Sequence, residues 1–115
     1  MNLNNQGIRR EIRESSIMSE FRTLVKTERY LLKAGARKNK EEESEEEMLR
    51  WIEVEIETKI NEMLKMWKDV KTSTLKILFD YCHEKGLNKY EKEIKDIFKK
   101  RNPKNAEKIL SMLKH

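Results

Sequence analysis

Leu49–Val70 reads LRWIEVEIETKINEMLKMWKDV, and its apolar spacing decides the fold class. Leu49, Ile52, Ile56, Ile60, Met63, Trp67, Val70 and Thr74 advance by three or four residues at every step, which gathers them on one face of an α-helix. Past Val70 the apolar face widens to include Leu75, Ile77, Leu78, Phe79, Tyr81 and Cys82. A wider face needs more neighbours, so this half of the helix is expected at the centre of a bundle. Gly86 supplies the stop, and Leu87 the hydrophobic contact that commonly follows such a stop. One long central helix, running from the glutamates before Leu49 to Gly86, is therefore predicted.

Working towards the N-terminus, residues 41–47 are EEESEEE. Ser44 with Glu47 fits a capping box, and glutamates favour the positive end of a helix dipole. Residues 35–44 read as a charged loop. Before it, Ile17, Phe21, Leu24, Val25, Leu31 and Leu32 mark another helix face, which ends near Ala34 with Gly35 as its stop. Ser15 or Ser16 is expected to cap that helix. Ile8–Glu14 reads as a short separate helix carrying Arg9, Arg10 and Arg13, and residues 1–7 as a polar lead-in. Towards the C-terminus, Asn88 and Glu91 open a helix with Tyr90, Ile94, Ile97 and Phe98 on one face. Asn102-Pro103 closes it and opens a last helix lined by Ala106, Ile109, Leu110 and Leu113. The prediction is all-α: a small bundle of four to five helices forming a single domain over residues 1–115.

Composition agrees with that class. Of the 115 residues 41% are charged and 37% apolar, with three glycines and one proline, too few turn-formers for an all-β fold. The lone Cys82 has no partner for an internal disulfide, and no apolar run resembles a leader or a membrane span. A soluble, cytoplasmic protein is expected. Charge is segmented: residues 1–40 hold 10 Lys/Arg against 4 acids, 41–70 hold 4 against 11, and 71–115 hold 12 against 6. Because six of the acids crowd into Glu41–Glu47, basic surfaces elsewhere are left uncompensated.

Catalytic motifs are missing. Glycines at 7, 35 and 86 cannot build a phosphate-cradling loop, and two histidines are too few for most metal sites. Cys82 and His83 point about 100° apart on a helix, so a buried structural thiol is the expected role of Cys82. No catalytic residue, no metal site and no intrinsic cofactor is predicted. Basic rows are more informative. Arg22, Lys26, Arg29 and Lys33 follow a 4-3-4 spacing beside the apolar face. Lys92, Lys95 and Lys99 form a second row, which Lys100, Arg101 and Lys104 continue around Pro103. Like charges at such spacing repel, and a phosphate-bearing ligand removes that penalty. Such rows also occur simply as soluble helix faces. Trp67 falls on the core stripe. Trp51 lies off it, either packed under the N-terminal segment or offered as a stacking platform for a base, and Tyr30 beside Arg29 allows the same two readings.

A chain of this length, all helical, with the Arg22–Lys33 row and the charged stretch Arg37–Glu47, resembles the helix-bundle accessory domain of archaeal plasmid replication primases. That resemblance implies a non-catalytic module that binds single-stranded DNA and nucleoside triphosphates such as ATP and presents both to a separate catalytic domain. Phe21–Leu32, a charged gap and the long Leu49–Tyr81 stretch also resemble the helical domain of GINS replication-complex subunits, although Lys68-Asp69-Val70-Lys71 stands where that family ends its helix with a basic motif. This second likeness implies a protein-interaction scaffold, with an exposed apolar patch around Trp51, Val54 and Ile12. Size and basicity also fit a small helical RNA-binding subunit of an RNA-guided defence complex.

Overall fold

In the computed structural model the backbone is described for residues 2–35 and 43–113, and the side chains for 12–34 and 45–113. Five helices are present among these residues: α1 (Asn2–Gly35), α2 (Glu43–Lys65), α3 (Thr72–Lys85), α4 (Asn88–Arg101) and α5 (Ala106–Leu113). No strand occurs among the described residues, so the all-α prediction holds. The helices fall into two compact units, residues 1–65 and 66–115. The charged stretch 36–42 and the side chain of Ser44, with its expected capping box, lie outside the described residues.

Unit 1 is a helical hairpin of α1 and α2. Residues 36–42 can span no more than about 28 Å, whereas a parallel α2 would need its start carried back along a helix of its own length, about 34 Å. α2 must therefore run back along α1. The ion pair between Lys59 Nζ and Glu20 Oε2, at 2.6 Å, fixes the register. Glu20 lies fifteen residues before Gly35 and Lys59 sixteen after Glu43, within one residue of the same distance from the closed end. The seam buries Ile17, Met18, Phe21, Val25 and Leu31 of α1 and Ile52, Ile56, Ile60, Met63 and Leu64 of α2.

α1 departs from expectation at its start. Residues 2–7 belong to the helix, and Ser15 and Ser16 are exposed positions within it, not caps. Buried positions at 14, 17, 18, 21, 25, 28 and 31 hold their three-to-four spacing across the serines, and an interior serine costs only about 0.5 kcal/mol against alanine. Two of those positions are glutamates. Glu14 is buried and Glu28 is only 1% exposed, although the sequence gives both the look of a solvated face. Leu32, expected inside, is exposed, and Leu24 and Leu49 are half-buried.

The single long helix expected through Leu49–Gly86 is two helices. Residues 66–71 leave helical geometry, with a turn in which the Asp69 amide donates to the Met66 carbonyl at 2.9 Å. Asp69, Val70, Thr72, Ser73 and Thr74 are all weak helix formers, which makes the break cheap. Tertiary structure completes it. Arg101 Nη1 donates to the Val70 carbonyl at 2.6 Å, and the Val70 side chain is buried. Trp67, placed on the core stripe by its spacing, is half-buried in this turn.

Unit 2 packs α3, α4 and α5 around Leu75, Leu78, Phe79, Cys82, Ile94, Ile97 and Phe98, with Leu113 from α5. Ile77 is exposed and Ala106, Ile109 and Leu110 are only half-buried, so α3 and α5 present narrower faces than their sequences suggest. The Gly86 stop is as expected: φ is +70°, the Leu87 amide donates to the Cys82 carbonyl at 2.8 Å, and the Gly86 amide to that of His83 at 3.2 Å. Between α4 and α5 the chain makes a turn over residues 102–105, so Asn102 ends α4 and α5 starts later than Pro103. His83 Nδ1 meets Glu91 Oε1 at 2.7 Å across the α3–α4 contact, with the His83 ring stacked against Phe79.

Gly86→Ala is expected to cost about 1–2 kcal/mol in denaturant unfolding, because open space surrounds the site and only the left-handed backbone penalises a side chain. Arg101→Met, which keeps the stem but removes the donor to Val70, is expected to cost about 1–3 kcal/mol in the same measurement.

Candidate nucleic-acid interface

Arg22, Lys26, Arg29 and Lys33 all project from α1 as exposed side chains. Over eleven residues the row covers about 16 Å of helix. Among the described residues no ion pair involves Arg22, Lys26 or Lys33, whereas Arg29 has a partner within the fold. Tyr30 is 72% exposed. It stands four residues after Lys26 and three before Lys33, so both cations are its neighbours on the helix surface. The phenol is thus an uncovered ring on the stretch of helix surface that also carries the two exposed lysines.

Trp51 is 60% exposed on α2, so it is not packed away. Counted from the level Glu20–Lys59 pair, Tyr30 is ten residues towards the closed end of the hairpin and Trp51 eight, which puts the two aromatics at nearly one height. Ile12, 62% exposed, is eight residues from Glu20 in the opposite direction. The patch expected from Trp51, Val54 and Ile12 is therefore divided between two ends of the hairpin. Val54 stays with Trp51 as its neighbour three residues on, and both are exposed.

The second basic row belongs to unit 2 and is partly committed to the fold. Arg101 is half-buried and spends its guanidinium on the Val70 carbonyl. The Lys95 ammonium lies 5.7 Å from the Phe79 ring centre, and that of Lys100 lies 5.8 Å from Trp67. Lys92, Lys99 and Lys104 are exposed. The sequence reading missed the Trp67 cluster, in which Lys68 is also 5.7 Å from the ring. Its signal was available only as a lysine adjacent to the tryptophan, since Lys100 arrives from another helix.

Along the hairpin, Lys59 sits between two shallow grooves, one with Ile12, Ser16, Glu20 and Glu62 and one with Ser19, Thr23, Leu24 and Glu55. Its hydrogen bond to Glu20 holds the ammonium above the usual lysine value, against the opposing effect of burial and with help from Glu62 and Glu55. Cys82 is a buried thiol. Among the described residues no group of three or more His, Cys, Asp or Glu is placed to hold a metal ion, and no helix is long and apolar enough to cross a membrane.

What fold and surface define is a small all-helical protein with a cation row and an exposed tyrosine on its first helix. No protein-family model matches the chain, and neither curated proteins nor solved structures provide a match.

A lysine whose folded value is raised stabilises fully below its unfolded value, and the contribution is lost as pH rises through the folded value. The advantage of wild type over Lys59→Met is therefore expected to be about 1 kcal/mol or less at neutral pH. It should shrink as pH climbs beyond the ordinary 10.5, read from denaturant midpoints of both proteins.

Proposed function

We propose that this chain is a non-catalytic helical module that binds single-stranded nucleic acid, and nucleoside triphosphates, through the outer face of α1. The observation that carries the reading is the set of exposed cations Arg22, Lys26 and Lys33, free of ion pairs among the described residues, with the uncovered Tyr30 ring on the stretch of helix surface that carries two of them. Cations held in a row repel one another, and a run of phosphates relieves that repulsion while releasing counterions. Tyr30 adds a face on which any base can stack, which favours single strands because their bases are not already paired. Arg29 extends the row. Lys99 and Lys104 form a secondary basic surface, and Lys95, Lys100 and Arg101 rank below them because ring or carbonyl contacts engage them. Priming of DNA replication, with template and triphosphates handed to a separate catalytic domain, is the setting that the resemblance to primase accessory domains suggests for such a module. A protein-contact role is favoured by a different surface, the exposed Met48, Trp51 and Val54 of α2.

Fluorescence anisotropy with a labelled single-stranded oligonucleotide tests the proposal. With three or four phosphates neutralised, raising salt from about 50 to about 200 mM should weaken binding roughly 20- to 50-fold. Arg22→Glu with Lys26→Glu should reduce affinity at least about tenfold at the lower salt, while Lys99→Glu with Lys104→Glu should have the smaller effect. Binding that ignores salt, or survives the first pair of reversals unchanged, overturns the proposal.

A further inference from the structure

α2 carries two stripes. Ile52, Ile56, Ile60 and Met63 are buried in the seam with α1. On the back of the helix Trp51, Val54, Thr58 and Asn61 are all exposed and advance by three, four and three residues. At 3.6 residues per turn Trp51, Val54 and Thr58 stand about 140° to 160° round the helix from Ile56, so they point away from α1. Spacing of this kind is the seam of a coiled coil, which a further helix can cover. Asn61 and Lys65 continue it with polar side chains and end its apolar part. Carboxylates form the rim. Glu55 and Glu57 stand about 100° to either side of Ile56, and Glu62 about 120° on the side of Glu55. All three are half-buried, at the positions that flank a coiled-coil core and select its partner by charge. Glu62 lies 3.7 Å from Lys59, whose shorter contact, 2.6 Å, is with Glu20. Among the described residues no ion pair involves Glu55 or Glu57. Arg50 extends the rim on the side of Glu57 without reversing its sign.

We infer that the back of α2 docks a basic amphipathic helix of another protein, one with aliphatic side chains along its own seam and Lys or Arg on the flanks. Trp51 and Val54 exclude water from the centre of the contact, and cations of the partner meet Glu55, Glu57 and Glu62 to fix the register. A second copy of α2 is disfavoured as the occupant, because it would oppose the rim with the same carboxylates. Docking of this kind rests on the protein-contact role of α2 and not on phosphate binding by α1. A partner behind α2 leaves Arg22, Lys26, Lys33 and Tyr30 uncovered, since the seam at Ile56 sets α1 on the opposite side of that helix.

Calorimetric titration of the full chain, free of nucleic acid, with synthetic helical peptides of about three heptads tests the docking. Two peptides share leucine and alanine along the seam, one with lysine and the other with glutamate at every flanking position. The lysine peptide is expected to bind with a Kd on the order of 10–100 µM, and the glutamate peptide at least about tenfold more weakly. A third peptide, with lysine flanks but serine along the seam, measures charge attraction alone and should also bind at least about tenfold more weakly. Trp51→Glu should abolish binding of the first peptide, with unchanged helical circular dichroism showing that the hairpin still folds. Glu55→Lys with Glu57→Lys should reverse the preference towards the glutamate peptide, a switch that general destabilisation would not produce. Absence of binding by the lysine peptide up to about millimolar concentration, the range of the weakest specific contacts, overturns the proposal. Equal affinity for the lysine and glutamate peptides, or for the serine-seam peptide, does the same, as does a Trp51→Glu protein that binds like wild type. Arg22→Glu with Lys26→Glu should not weaken peptide binding, so this docking and the phosphate-binding role of α1 fail separately.

Discussion

Ile52, Ile56 and Ile60 can leave water only if a second helix lies along them, and the arrangement of unit 1 follows from that need. α1 supplies the cover with Ile17, Phe21, Val25 and Leu31, and the short connection obliges the two helices to run in opposite directions. Burial on one side of α1 turns Arg22, Lys26, Arg29 and Lys33 outwards. The cation row is therefore a product of the seam: the same helical period that buries one face exposes the other. Lys59 and Glu20 then fix the axial position of the two helices, which apolar contacts along a repetitive stripe leave loosely defined.

In unit 2 a polar contact has the corresponding role. Leaving helical geometry at 66–71 frees backbone groups that must find partners elsewhere, and Arg101 meets the carbonyl of Val70. The bond ties the end of α4 to the entrance of α3 and draws one of the most prominent cations of the second row out of the surface. Lys95 and Lys100 are turned over aromatic rings in the same unit. A basic sequence is thus not equivalent to a basic surface, because part of the charge in α4 is spent on holding unit 2 together. The α1 row, with Arg22, Lys26 and Lys33 outside any ion pair among the described residues, keeps its charge available.

The two surfaces singled out on the hairpin have different physical characters. The phosphate attraction proposed for the α1 row would act at a distance, depend on salt and be indifferent to sequence. A contact through the exposed Met48, Trp51 and Val54 of α2 would act only at close range and depend on shape.

Much of this was legible in the sequence. Spacing alone determined the helical class, the seam positions Ile52, Ile56, Ile60 and Met63 of α2, the stop at Gly86, and the exposure of the Arg22–Lys33 row, because each follows from local backbone geometry and a period of 3.6 residues. Tertiary structure decided the rest. Burial of Glu14 and Glu28, continuation of α1 through Ser15 and Ser16, the break before Thr72 and the diversion of Arg101 all depend on contacts between residues far apart in the chain. A glutamate in a seam and a glutamate in water look alike in sequence. Only the helix lying opposite distinguishes them, by removing the solvent that would otherwise surround the charge.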